Sequence, residues 1–378
     1  MSLVINDEQA MLKTSAREFL KDRAPVAALR KLRDERDETG FDRDLWSEMA
    51  EMGWAGLTIP ETWGGLGFGY TGLGQVLEEM GRTLAASPMV STVLLGASTV
   101  MAAANDAQKN TLLPGIASGE LILALAAEEQ SRHAPFHVET TATNAHGDYR
   151  LNGKKTFVLD GHVADYFIVL ARTSGSPDSP DGLSFFLVNA EEEGIERERT
   201  IMMDSRNAAV VRFRDVRVAE SALIGSEGKA GPVWEKVLDI ARIGLSAEML
   251  GTGLEAFERT INYLKERRQF GVPIGSFQGL QHRAAQMFCE LELCKSLVIH
   301  ALQAIDQGKD LPVIASRTKA KLSETLRLVT NEGVQMFGGI GMTDDEEIGF
   351  FLKRARVAQQ TFGDAAYHLD RYARLRGF

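Results

Sequence analysis

A chain of 378 residues, 44% hydrophobic and 25% charged, has the length of two or three domains and an ordinary globular composition. Its formal charge of −10 argues against nucleic acid or an anionic membrane surface as a partner, since either needs clustered Lys and Arg; a small anionic ligand held by a few local arginines is still allowed. The opening MSLVINDEQAMLKTSAREFL lacks the basic start and apolar centre of a secretory signal, and no apolar run reaches the length of a bilayer span.

From Asp7 to about Ser118 the pattern is helical. Ala10, Leu12, Ala16, Phe19 and Leu20 recur at three- and four-residue spacing and predict an amphipathic first helix. Gly53 to Gly74 is Gly-rich with Trp54, Trp63, Phe68 and Tyr70 interspersed, too irregular for a helix. Its aromatic residues are expected to pack against a neighbouring element, the alternative being that they line a ligand channel.

Near Leu121 the period changes to that of strands. Leu151-Asn152-Gly153-Lys154 predicts an Asn-Gly turn, and Tyr166 to Arg172, Leu183 to Ala190 and Val210 to Val218 read as strands of an inserted β domain. Ser174 to Gly182, SGSPDSPDG, reads as a solvated, mobile loop. From Gly231 onward the prolines are Pro232, Pro273 and Pro312, leaving helical blocks of about forty, forty and sixty residues, the last subdivided. Val233, Val237, Ile240, Gly244, Ala247, Gly251 and Leu254 form a stripe suited to a helical bundle. The reading is an α+β protein with an N-terminal all-α domain (1–120), a middle β domain (121–225) and a C-terminal helical bundle (226–378). Cys289 and Cys294 fall on different faces of one helix and are poorly placed for a disulfide, which predicts a reducing, cytoplasmic setting.

Between the first two C-terminal blocks, Tyr263 to Gln281 concentrates Arg267, Arg268, Gln269, Gln278 and Gln281 around a short break at Gly271-Val272-Pro273, a corner able to hold a phosphorylated cofactor. His133 and His137 lie four apart, but the intervening Pro135 argues against a helical metal pair, so no metal site is expected.

The domain order, together with Arg267, Gln269, Phe270, Gly271, Phe277 and Gln278, the segment Gln335 to Met342 (QMFGGIGM), and Gly53 to Gly67, resembles the acyl-CoA dehydrogenase family over essentially the whole chain. The resemblance implies a tetramer in which Arg267, Gln269, Phe270 and Gln278 of one subunit, with Gln335, Gly338 and Gly339 across an interface, meet the ADP portion of FAD. Read locally, Arg267 is equally a cation at a helix C-terminus, and the glycines are equally chain turns. Asp239 and Arg242, three apart on the first C-terminal helix, match a family D-x-x-R pair that faces the acyl-CoA; a surface ion pair is the plainer alternative.

Family members remove the α proton of an acyl-CoA with a carboxylate while hydride leaves the β carbon for the flavin. The Glu that usually does so falls at Phe362 here, and the position used by other members is Ala241. Ala127 and Leu159 likewise replace hydroxyls that the family presents to the flavin. Three explanations follow. Another carboxylate acts as base, Asp364 or Glu248, against plainer roles as a helix N-cap and as packing polarity. The chain is a subunit of a heteromeric dehydrogenase of the pimeloyl-CoA or steroid side-chain type, whose companion carries the Glu, or a catalytically silent subunit that completes that partner's FAD site; this accounts for both absent bases at once. Or the chain is a flavin oxidase or monooxygenase relative. Expected partners are an acyl-CoA, an electron-transfer flavoprotein or other acceptor, and copies of itself or of a related subunit. His368 in the final helix could face the site, a surface or packing role being the plainer reading.

Overall fold

Asn6 starts the first helix. Its side chain accepts the Gln9 N–H at 2.8 Å while the Gln9 side chain accepts the Asn6 N–H at 3.1 Å, a reciprocal box that satisfies two amides otherwise left open at a helix start. In the computed structural model, which describes residues 3–378, the elements run α1 (Asp7–Arg23), α2 (Val26–Asp34), α3 (Arg43–Glu51), α4 (Tyr70–Thr83), a π-helical stretch Met89–Ala97, α5 (Ser98–Ala103) and α6 (Asp106–Ala117). Eight strands follow: β1 (Leu123–Ala126), β2 (Thr141–Ala145), β3 (Asp148–Leu159), β4 (Tyr166–Arg172), β5 (Leu183–Asn189), β6 (Ile195–Ile201), β7 (Asn207–Ala219) and β8 (Leu223–Ile224). The chain then forms α7 (Ala230–Glu266), the short strands β9 (Arg268–Gln269) and β10 (Val272–Pro273), α8 (Gln278–Asp306), α9 (Pro312–Phe337), α10 (Ile348–Gln360) and α11 (Ala365–Arg376). Among the described residues no helix is long and apolar enough to cross a membrane, and Cys289 and Cys294 are both free.

The chain divides into two compact units, each described by itself. One comprises residues 1–35, 70–85 and 242–378 and is a helical bundle. The Gly-rich run that reads as irregular through Gly74 in fact turns helical at Tyr70, because its glycines are contact points between helices. A Cβ on Gly74 would lie 2.2 Å from Leu302 Cδ1, one on Gly81 2.0 Å from the Glu248 carbonyl oxygen, and one on Gly251 1.7 Å from that of Glu78. α4 and α7 therefore approach backbone to backbone, which only glycine allows. Asp306, the last residue of α8, caps α4 from outside by accepting the Tyr70 and Thr71 N–H groups at 2.7 and 2.9 Å.

The other unit, residues 36–69 and 86–241, is built on an eight-stranded sheet of order β6-β7-β3-β2-β4-β5-β8, with β1 pairing parallel to β4. Its core is aromatic and β-branched: Phe167, Phe186, Phe213, Val158, Val169 and Val211 are buried, and Phe167 and Phe213 meet edge-on at 6.2 Å. Trp54 is buried too, as packing predicts, and Trp63 donates its indole N–H to Asn110 at 2.8 Å.

One expectation is corrected here. The β2–β3 hairpin turns at His146-Gly147, both with positive φ (59° and 97°), and not at Asn152-Gly153. Those two residues sit at a bulge inside β3, where the Asn152 side chain accepts the Asp215 N–H at 2.9 Å and Gly153 lets Thr140 approach too closely for any Cβ. The Ser174 to Gly182 loop is largely exposed, as its composition predicts, and is anchored from one side. The buried Arg172 guanidinium donates to the carbonyls of Val138, Asp181, Pro177 and Ser179 at 2.8 to 3.0 Å, with longer bonds to Ser174 and Phe136, so a single cation fixes the course of the loop.

The glycine contact gives a sharp stability contrast. Gly251→Ala, which drives a methyl into a carbonyl, is expected to cost more than about 3 kcal/mol in denaturant unfolding. Gly279→Ala, in the first turn of α8 with no neighbour within 4 Å of the new Cβ, is expected to change stability by less than about 1 kcal/mol.

Candidate functional site

The break predicted at Gly271-Val272-Pro273 is a two-residue hairpin between β9 and β10 with Phe270 and Gly271 at its tip, both in the left-handed region (φ 53° and 82°). That is the geometry of a primed turn, which Gly271 accepts freely and Phe270 only at a cost. Phe270 is 91% exposed, with the Phe277 ring edge-on at 6.1 Å. Arg267 is held at its backbone, donating its N–H to the Tyr263 carbonyl and accepting from Ile274 N–H, each at 2.8 Å. Its side chain is exposed and has no hydrogen bond or ion pair among the described residues. Gln269 and Gln278 are exposed as well.

Within the same bundle, α9 ends at Gly338, whose N–H returns to the Gln335 carbonyl and whose φ is 68°. Tyr263, one turn before the hairpin, stacks on Phe337 at 4.2 Å and donates its hydroxyl to the Phe337 carbonyl at 3.2 Å. Gln335, Gly338 and Gly339 are exposed, and no heavy atom lies within 4 Å of a would-be Cβ on either glycine. The hairpin corner offers an unpaired guanidinium and two exposed side-chain amides, and the segment after α9 offers a third amide and an open glycine backbone, donors of the chemistry that pyrophosphate and adenosine accept.

The second constellation is the corner between α10 and α11. Phe362 lies in the left-handed region (φ 61°), followed by Gly363 at φ 104°. Three carbonyls there receive donors from buried side chains. Lys319 Nζ donates to the Gln359 and Gly363 oxygens at 3.1 and 3.0 Å and lies 3.4 Å from Ser323 Oγ. Arg242 Nε donates to the Phe362 oxygen at 3.1 Å, and His368 Nε2 stands 3.0 Å from the same atom. Arg242 also reaches the Tyr367 hydroxyl at 3.3 Å and lies over that ring at 5.4 Å. Lys319, Arg242 and His368 are all buried, so neither the surface ion pair considered for Arg242 nor a surface role for His368 applies. Asp239 is likewise 1% exposed.

Burial, reinforced by Arg242, pushes the Lys319 amine down to about 7. The unfolded lysine keeps its proton to near 10.5, so this group's contribution to stability is complete above that value and is lost as pH falls toward 7.

The residues named as possible bases are occupied. Asp364 is the N-cap of α11 and accepts the Tyr367 N–H at 2.8 Å. Glu248 is buried and takes both Arg354 Nε and Nη2, at 3.1 and 3.0 Å, on one carboxylate oxygen. Ala241 is fully buried and Phe362 is half-buried; neither side chain can accept a proton.

In the sheet unit, Ala127 is buried and Leu159 half-buried. Lys155, fully buried, clamps the first of these segments by donating to the Ala127 carbonyl at 3.0 Å and to Glu129 at 2.7 Å. Burial lowers its amine to about 8. Burial alone would raise the Glu129 carboxyl, but the Lys155 ammonium beside it outweighs burial and holds it below its usual range. His133 pairs with Glu128 and His137 with Asp178, and no group of three metal-ligating residues exists among the described residues. Phe157, exposed and at φ 50° beside a register shift in β3, is a strained aromatic that the strand pattern did not single out. Lys319 was also missed, although a lysine on the otherwise apolar α9 face of Ala315, Leu322 and Leu326 was a visible signal.

Family models match along the chain: the acyl-CoA dehydrogenase N-terminal domain at residues 6–120, the middle domain at 124–216 and the C-terminal domain at 231–375. An acyl-CoA dehydrogenase of Bacillus subtilis is 31% identical over 363 residues, covering 94% of each chain. Among solved structures, a chain reported under the electron transferring flavoprotein of Acidaminococcus fermentans is 29% identical with a TM-score of 0.91 over 100% of both chains. The steroid ACAD Tcur3481-Tcur3483 is 30% identical with a TM-score of 0.87 over 98% of both. Matched over all three domains, the chain belongs to the acyl-CoA dehydrogenase family, FAD-dependent oxidoreductases acting on CH–CH donors.

Proposed function

We propose that this chain is a subunit of an FAD-dependent acyl-CoA dehydrogenase that introduces a 2,3 double bond into an acyl-CoA thioester, and that the carboxylate taking the α proton belongs to a related companion chain. The observation carrying this reading is the Phe362 corner: its backbone is held by three buried donors, yet its side chain has no proton acceptor. Asp364 is the alternative base within the chain, but its carboxylate is committed to the start of α11. The similarity to a steroid ACAD named for two gene products supports a heteromer.

Arg267, Gln269, Phe270 and Gln278, with Gln335, Gly338 and Gly339, would hold the ADP half of FAD, the guanidinium neutralising pyrophosphate and the open glycine backbone allowing close approach. When bound, FAD accepts the hydride that leaves the substrate β carbon as the α proton is removed. Asp239 and Arg242 are assigned to the acyl-CoA side, where Arg242 acts by fixing the Phe362 carbonyl. A tetramer, of one chain type or two, is supported by the exposed apolar side chains Phe270, Phe277, Phe288, Leu293, Ile340 and Met342 on the bundle. An electron-transfer flavoprotein is the proposed acceptor, in keeping with the A. fermentans similarity.

Purified with FAD, the chain is expected to be yellow and not to bleach with acyl-CoA until a companion chain is added. A protein that stays colourless with FAD and partner overturns the flavoprotein reading, and bleaching by the lone chain that Asp364→Asn abolishes places the base within it. In the lone chain, Phe362→Glu is expected to raise the bleaching rate by at least about 100-fold, the contribution typical of a positioned general base. An unchanged rate despite bound FAD and acyl-CoA would show that residue 362 does not face the α carbon.

A further inference from the structure

We infer that Lys319 is a positioning residue: through its bonds to the carbonyls on either side of the turn, it holds residue 362 in the left-handed conformation from which that residue's side chain is presented. The placement of residue 362 at the substrate rests on the reading above, whereas the geometry does not. Lys319 leaves α9 fully buried, and its ammonium joins two oxygens that bracket the corner, Gln359 O at the end of α10 and Gly363 O just past Phe362. With both ends fixed, residues 360–362 have little freedom, and Phe362 sits at φ 61°, where a bulky L-residue does not rest by itself.

Ser323 completes the arrangement. Its hydroxyl lies 3.4 Å from Lys319 Nζ, and its own carbonyl accepts the Gln359 side-chain amide at 3.0 Å, so α9 grips the end of α10 at two adjacent points. Arg242 and His368 both converge on the Phe362 oxygen, which fixes the central peptide of the corner as Lys319 fixes its flanks. None of these bonds involves the side chain at 362. The corner is thus a backbone scaffold that accepts a different residue at 362 without being rebuilt.

Glycine enters the left-handed region without penalty, so the demand on Lys319 should fall when residue 362 is glycine. The test is a double-mutant cycle on the FAD-loaded protein, with Lys319→Met measured in the wild-type and Phe362→Gly backgrounds. The loss of Tm caused by Lys319→Met is expected to be at least about 2 °C smaller in the Phe362→Gly background. Equal losses overturn the inference. If Lys319→Met alone does not fold, recovery of a folded protein in the Phe362→Gly background supports it, and failure in both backgrounds overturns it. In the Phe362→Glu background, Lys319→Met is expected to slow acyl-CoA bleaching at least 10-fold with acyl-CoA affinity unchanged; a fall in affinity alone counts against a positioning role. The thermal cycle needs no turnover, so it decides on Lys319 even if the dehydrogenase reading fails.

Discussion

Buried cations bonded to main-chain carbonyls are the constraint on which the rest of the bundle's candidate chemistry depends. At the α10–α11 corner Lys319 and Arg242 donate to the oxygens of Gln359, Phe362 and Gly363. A hydrogen bond to a charged group contributes about 1.5–3 kcal/mol, and a non-glycine residue forced to positive φ costs about 1–3 kcal/mol. Several such bonds, to the Gln359, Phe362 and Gly363 carbonyls, are therefore enough to hold Phe362 where it lies. The depressed Lys319 amine shows that the arrangement is not free: burying the ammonium costs stability, and what is gained is a defined backbone course. The sheet unit uses the same device separately, with Arg172 gathering the carbonyls of an otherwise irregular loop and Lys155 tying Ala127 and Glu129 to β3.

Much of the architecture was legible because it follows from periodicity. The strand at Tyr166–Arg172 and the long C-terminal helices, whose prolines Pro232 and Pro312 fall in first turns, appear where their patterns put them. Glycine misled in both directions. In α4 it marks a crossing of helices, as Gly81 and Gly251 show, and at Asn152-Gly153 it marks a bulge, since the deciding contacts with Glu248, Glu78 and Thr140 are distant in sequence. The loop after β4 looks solvated by composition, and nothing local announces that Arg172 will organise it.

The candidate site divides along the same line. The exposed hairpin with Arg267, Gln269 and Phe270 and the exposed glycines after α9 were legible from local sequence, because each is written in consecutive residues. The absence of a carboxylate at Phe362 and Ala241 was equally plain. The plainer reading of Asp364 as a helix N-cap is the one found, whereas the sequence did not disclose that Arg354 engages Glu248 or that Lys319 underlies the corner from another helix.

The held backbone at 362 and the phenylalanine it carries support the proposal that this chain shapes a dehydrogenase site without supplying its proton acceptor. The most direct measurement is exchange of the α hydrogen of a bound acyl-CoA in deuterated water, followed by mass spectrometry, for the FAD-loaded chain without a companion. The account predicts no enzyme-dependent deuterium uptake at Cα. Uptake catalysed by the lone wild-type chain would contradict it, since it would require a base that Phe362 and Ala241 cannot provide.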